Sequence, residues 1–261
     1  MPKNLNRKTN GMREFGLIGY PLGHAYSQKY FEEKFKKLGI TDSKYTLYPI
    51  SEISKIINII NSHPNLIGLN VTTPYKELVI PFLDEVDEVI LRLGTVNTIK
   101  ITRIKGSIKT KGYNTDVFGL NKTFDTLNLP KDSKALILGS GGSGKTANFV
   151  LKERGIDSLN VSRKPQNLKY ISYSNITETV ITQHNIIINA TPVGMYPKKE
   201  AFPNIPYKYI NKKHICIDLV YNPPQTSFLK KCSEQGATII NGLTMLYEQA
   251  DRSWEIWNSI L

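Results

Sequence analysis

The sequence predicts an α/β protein of two domains that face each other across a cleft. Three observations predict it. Short apolar runs alternate with helical patterns along the chain, the mark of parallel strands joined by helices. A glycine cluster, Gly139 to Gly144, comes directly after one of those runs and opens a helix. At 261 residues with 40% hydrophobic residues, the chain is long enough for a well-filled core, and its length permits one or two domains.

Taken in order, residues 15–19 read as a strand. Ser27 then reads as an N-cap, with Tyr30, Phe31, Phe35 and Leu38 on one helix face and Gly39 as the stop. Strands come next at 45–49 and 66–71, with a helix near 53–60 between them. Residues 96–101 and 108–113 pair as a hairpin. A second unit begins near Asp116 with a helix over 117–127. It continues through a strand at 135–138, the glycine cluster, a helix to about Arg154 and a strand at 158–162. Apolar runs at 186–189, 215–220 and 237–240 add three strands. Residues 243–261 form an amphipathic helix expected to return to the first unit. The expected domains are therefore 1–115 with 243–261, and 116–242.

Composition removes several function classes. The net charge of +12 comes from scattered lysines, with no basic run interleaved with aromatics, so it reads as a solvated surface and not as a nucleic-acid footprint. A basic surface also favours anionic small molecules. No apolar stretch approaches the roughly 18 residues of a membrane span. Residues 1–13 are polar and basic, without the apolar core of a secretory signal. Cys216 and Cys232 lie in different elements and match no metal spacing; no metal is expected, and a reducing, cytoplasmic setting is.

The glycine cluster has two parses. As G-x-G-x-x-G it uses Gly139, Gly141 and Gly144, the dinucleotide pattern, in which a pyrophosphate approaches the helix N-terminus. As G-x-x-x-x-G-K-[ST] it ends in Lys145 and Thr146, the pattern of nucleotide hydrolases, and Asp218 after a later strand imitates their magnesium ligand. The residues just beyond the next strand separate them. An acidic residue there would accept from the ribose of NAD, whereas cations accommodate the extra phosphate of NADP. The chain has Ser162, Arg163 and Lys164 at that point, which favours an NADP site.

Three polar segments in the first unit are hard to explain as packing. Residues 70–77 run from a strand into a turn and an expected helix, 94–98 start a strand, and 112–116 end one. Their Asn and Thr side chains both donate and accept, which suits a polyhydroxylated ligand. Lys76 with Asp116 offers an ionisable pair able to pass a proton to a developing alkoxide.

With these segments the chain resembles the shikimate dehydrogenase family from about residue 13 to 258. Gly19-Tyr20-Pro21-Leu22-Gly23-His24-Ala25-Tyr26-Ser27 is similar to the family's G-x-P-(I/L)-x-H-S-x-S. Segments 70–77, 94–98 and 112–116 are similar to N-V-T-x-P-x-K-E, G-A-V-N-T and G-x-N-T-D. Segments 189–195, 218–223 and 242–249 complete the set. The resemblance implies a substrate domain, then a Rossmann-type NADP-binding domain, and reversible hydride transfer between NADPH and 3-dehydroshikimate. It implies Lys76 as proton donor and acceptor, with Asp116 positioning the reacting hydroxyl. Ser27, Asn70, Thr72, Asn97, Asp116, Tyr221 and Gln249 would hold the substrate's carboxylate and hydroxyls. Gly139, Ser140, Gly141, Gly142 and Ser143 would cradle the pyrophosphate. Ser162, Arg163 and Lys164 would surround the adenosine phosphate; Met195, Leu219 and Gly242 would line the nicotinamide. The implied partners are these small molecules alone, with the chain a monomer or homodimer.

The chain departs from the pattern at Ala25, where the family has a serine, and at Gln28, where it has a proline. Ser162 and Lys164 replace the usual Asn and Thr and keep the site cationic. The loss at Ala25 leaves a quinate-active enzyme or a non-catalytic NADP-sensing relative as alternatives, with a nucleotide hydrolase as the third.

Overall fold

The computed structural model describes residues 11–23, 26–165 and 170–259. Two compact units divide the chain, Met1–Asn114 with Ser253–Leu261, and Thr115–Arg252.

The first unit holds β1 (Arg13–Gly19), α1 (Tyr26–Leu38), β2 (Ser43–Pro49), α2 (Ile56–Ser62), β3 (Leu66–Val71), β4 (Glu85–Val86), α3 (Glu88–Leu93), β5 (Thr98–Ile104) and β6 (Ser107–Tyr113). Its sheet runs β2-β1-β3-β5-β6-β4. β1 pairs in parallel with β2 and β3, because helices connect them; β5 runs antiparallel to β3 and β6, the latter through a tight turn at Lys105 and Gly106. β1 and β3 are buried almost throughout, which is why they read as continuous apolar runs. The helix expected after Lys76 is absent. Residues 76–79 turn, and a single 3₁₀ turn (Ile80–Phe82) comes next, since Pro81 has no N–H to carry a helix forward from Glu77.

The second unit holds α4 (Thr115–Asp125), β7 (Lys134–Leu138), α5 (Gly142–Glu153), β8 (Asp157–Val161), β9 (Tyr170–Ile171), α6 (Glu178–Gln183), β10 (Ile186–Asn189), β11 (Ile215–Asp218), α7 (Ser227–Glu234), β12 (Thr238–Ile240) and the start of α8 (Leu243–Asn258). The sheet is parallel throughout, in the order β12-β11-β10-β7-β8-β9. This is a doubly wound sheet whose order reverses between β7 and β10. Ligands of such sheets bind at the carboxyl ends of the strands at that reversal.

Helix α8 is shared between the units. Its first ten residues, expected with the first unit, belong to the second, where a Cβ on Gly119 of α4 would lie 2.4 Å from the Met245 carbonyl. Its later turns close the first unit's core. Trp257 lies flat on β3 at Gly68, where a Cβ would come within 2.1 Å of the indole nitrogen, and that nitrogen donates to the Ile99 carbonyl at 3.0 Å. Phe15, Phe31, Phe35 and Tyr45 pack around Trp254 and Trp257 with ring centroids 5.0–6.5 Å apart. Among the described residues no helix is long and apolar enough to cross a membrane.

Candidate active site

The strand ends of the first unit gather four of the expected residues. β3 delivers Asn70 at its carboxyl end, and the chain then turns through Thr72 to Lys76. The Tyr75 N–H closes the turn on the Thr72 carbonyl at 2.9 Å, and the buried Tyr75 phenol donates to the Ile50 carbonyl at 2.6 Å. Lys76 is half-buried, and its carbonyl accepts from Val96 N–H at 2.7 Å. The same edge holds Asn97, whose carbonyl accepts from Val71 N–H at 2.8 Å. The loop after β1 lies against this turn: a Cβ on Gly19 would meet the Thr72 methyl at 2.5 Å.

Ser27 lies inside α1, one residue past its start, and not at the cap. Its hydroxyl hydrogen-bonds the Tyr45 phenol, which burial pushes far above its usual range and so keeps protonated. That phenol donates to Asn70 Oδ1 at 2.8 Å. Asn70 is 6% exposed, and its amide nitrogen is surrounded by the Asn97 carbonyl, Thr98 Oγ1 and Ser253 Oγ at 3.1–3.3 Å. A side chain so fully hydrogen-bonded within the fold acts as scaffold for Asn97 and Thr98. Ala25 lies outside the described residues.

Asp116, expected at a strand end, lies instead in the first turn of α4, where a carboxylate is favoured by the helix dipole, and is 8% exposed. Its neighbour Thr115 donates to Gln249 Oε1 at 3.4 Å, and Gln249 Nε2 donates to the Leu246 carbonyl at 2.9 Å. α4 and α8 thus bring Thr115 and Gln249 together, with Asp116 next to Thr115 in the chain.

The glycine turn settles which of its two parses the fold uses. Only Gly139, Ser140 and Gly141 lie between β7 and α5; Gly142, Ser143 and Gly144 are already helical. A Cβ on Gly144 would lie 2.2 Å from the Gly139 carbonyl, so α5 presses directly on the strand end. Close helix–strand contact is the task of the third glycine of the dinucleotide pattern. The hydrolase parse needs a longer loop and an accessible Thr146, which is 1% exposed. Asp218 cannot serve as its magnesium ligand either, being fully buried and surrounded by protein donors.

Gly141 is a different kind of glycine. Nothing lies within 4 Å of the Cβ it lacks, so packing does not require its bareness and the space is open to a ligand. Beside it, Ser162 is 7% exposed, bonds Ser140 Oγ at 3.2 Å and holds Lys164 N–H at 3.2 Å. That turn leaves Arg163 and Lys164 exposed at the end of β8.

Asp218 organises the loops that carry Met195, Leu219 and Tyr221. It accepts from Asn189 Nδ2 and Val220 N–H, each at 3.0 Å, and from the Thr226 hydroxyl. Asn189 Oδ1 in turn accepts from Thr191 N–H and Oγ1, shaping the turn toward Met195. A Cβ on Gly242 would lie 2.4 Å from the Leu219 carbonyl, which sets those two residues side by side. Met195 is 46% exposed, and burial holds the Tyr221 phenol above its usual range, as a donor.

Burial also pushes the Asp218 carboxyl up to about 7, against the pull of its three donors. A folded-state value above the unfolded one means the unfolded chain releases its proton first as pH rises. Stability is therefore expected to fall by a few kcal/mol between about pH 4 and 7 and then level off. Chemical denaturation across that range reads this limb, which Asp218→Asn should flatten; an unchanged slope in that variant would reassign it.

Residues 17–99 match the family model described as the shikimate dehydrogenase substrate binding domain. The chain is 37% identical over 260 residues to a shikimate dehydrogenase (NADP(+)) of Methanosphaera stadtmanae, covering 93% of this chain and 90% of that protein. Among solved structures it is similar to shikimate dehydrogenase 1 from Peptoclostridium difficile, with a TM-score of 0.82 and 37% identity over 96% of this chain and 94% of that one. It is also similar to shikimate 5-dehydrogenase from Thermus thermophilus, solved in complex with NADP(H) and shikimate. There the TM-score is 0.81 and the identity 27%, over 96% and 95% of the two chains.

Proposed function

The chain belongs to the shikimate dehydrogenase family, and from that premise we propose that it catalyses the reversible, NADPH-dependent reduction of 3-dehydroshikimate to shikimate. The observation that carries the reading is the glycine turn: Gly144 is bare because the fold requires it, Gly141 is bare with nothing to fill its space, and two cations stand at the next strand end. That arrangement fits a dinucleotide carrying a third phosphate. The N–H groups at the start of α5 would receive the pyrophosphate, and Ser162, Arg163 and Lys164 the phosphate on the adenosine ribose.

NADPH, when bound, supplies the hydride. The chain's own residues must hold the ring and manage the charge that appears on the ketone oxygen. Lys76 stabilises that charge and delivers the proton that completes the alcohol. Asp116 orients the reacting hydroxyl. Ser27, Asn70, Thr72, Asn97, Tyr221 and Gln249 hold the carboxylate and the other hydroxyls. Met195, Leu219 and Gly242 line the nicotinamide. In this reading the enzyme works in the cytoplasm, where the buried Cys216 and Cys232 remain thiols.

The test is a spectrophotometric assay with shikimate and quinate, each offered with NADP⁺ and NAD⁺. Reduction of NADP⁺ by shikimate is the expected result; none at all would overturn the proposal, and a preference for quinate would reassign the substrate. Arg163→Ala bears on the cofactor. Loss of one charge-assisted hydrogen bond should raise the KM for NADPH by about 10- to 100-fold and leave that for NADH nearly unchanged. Equal effects on both would remove Arg163 from the phosphate pocket.

A further inference from the structure

Resting on that reading, we propose that Gly119 of α4 is a positioning residue: its missing side chain lets α8 seat directly on α4, which sets the reach of the Gln249 amide toward the substrate. Backbone geometry carries the proposal. A Cβ at position 119 would lie 2.4 Å from the Met245 carbonyl oxygen, and 3.2 Å from both the nitrogen and the Cβ of Gln249. Met245 and Gln249 stand one turn apart on one face of α8, so that face rests on the bare position. None of the three atoms is the far end of a flexible side chain, and no change of rotamer would relieve these contacts. Gly119 is buried in mid-helix and is not among the residues with left-handed backbone, so alanine would suit the helix better. Close approach of α8 is what the position requires.

The residue of α8 that meets this bare position is the one that reaches the functional end of α4. One turn before Gly119, on the same side of the helix, α4 carries Thr115 and Asp116. The Thr115 hydroxyl donates to Gln249 Oε1 at 3.4 Å. The backbone of Gln249 is thus seated on Gly119 while its amide meets the first turn of the same helix. The approach of α8 to α4 thereby sets where that amide stands relative to the helix that carries Asp116. A methyl group at position 119 would need the Met245 contact to open from 2.4 Å to about 3.4 Å, and Gln249 would move with its helix. A shift of about 1 Å in a group that holds a substrate is enough to cost as much as 100-fold.

Steady-state kinetics of Gly119→Ala test the proposal. The KM for shikimate is expected to rise about 10- to 100-fold, while the KM for NADPH stays within about twofold. A glycine needed for packing alone would lower the Tm and leave both KM values unchanged, and that result overturns the assignment. Gln249→Asn draws the same amide back by one methylene and leaves the seat on Gly119 alone. It should raise the KM for shikimate by a similar factor with little change in Tm, and it serves as the test should Gly119→Ala fail to fold. An unchanged KM in Gln249→Asn likewise overturns the assignment. Because Gly119 acts through Gln249, adding Gly119→Ala to Gln249→Ala should raise the KM no further than Gln249→Ala alone. Full additivity in that double variant overturns the role and leaves the reaction standing. Absence of turnover by the unmodified chain overturns the reaction and this role with it.

Discussion

Replacing Lys76 by alanine is expected to lower shikimate turnover by about 10²- to 10⁴-fold, the range supplied by a positioned proton donor, with little change in the KM for shikimate. The bonds that hold the turn's main chain do not use this side chain. The main chain at Lys76 is held by its carbonyl bond from Val96 N–H, and the turn before it by the Tyr75 phenol on the Ile50 carbonyl. None of these bonds uses the lysine side chain, so the turn should survive its loss. Lys76→Arg separates two roles: arginine retains the positive charge but does not give up a proton at working pH. It should be nearly as inactive as alanine if proton transfer is the task, and substantially active if charge alone is. Near-normal turnover in Lys76→Ala would exclude the lysine from the chemistry.

Gly144→Ala is expected to produce the largest combined loss of stability and cofactor affinity. The new Cβ would lie 2.2 Å from the Gly139 carbonyl oxygen and 3.0 Å from its carbon, and both are backbone atoms with no rotamer to change. α5 must move off the end of β7, at a cost of about 1–3 kcal/mol or more. The Tm should fall by several degrees. Because the pyrophosphate would bind at the N-terminus of the displaced helix, the KM for NADPH should rise by about 100-fold or more. Gly141→Ala is the control, since its methyl would meet nothing in the protein. It should leave the Tm unchanged and still weaken NADPH. A Gly144→Ala protein that melts and binds NADPH normally would refute this account of the turn.

The fold is legible in the sequence where burial makes a strand continuously apolar. β3 and β10 can be read to the residue because β10 is buried along its whole length and β3 at every residue but Ile67. α3, α6, β4 and β9 escape such a reading, because elements of two to six residues are too short to show a period. Their signals are local: Asp87 caps α3 and Gly94 ends it in the left-handed region, while Thr177 caps α6. Eight-residue α7 carries the same kind of mark in Thr226. Pro81 is in plain view in the sequence, and it is the residue that rules out the helix expected after Lys76.

The candidate site is legible by motif, and its inner supports are not. Asn70 reads as a ligand group in sequence, and only the fold shows that Tyr45, Asn97, Thr98 and Ser253 also hold its amide. Ser253 gives no motif at all. The one available hint is a polar residue on the buried stripe of α8, four residues before Trp257 on a helix where such positions face one another.

The sharing of α8 between the units has a consequence for how the chain matures on the ribosome. Ser253 bonds Asn70 across 183 residues of sequence, and Trp257 bonds Ile99 across 158. The unit translated first thus waits for its aromatic keystone until all of its neighbour, Thr115–Arg252, has been translated. Vectorial synthesis, which ordinarily lets the leading domain fold ahead of the next, here completes the trailing one earlier.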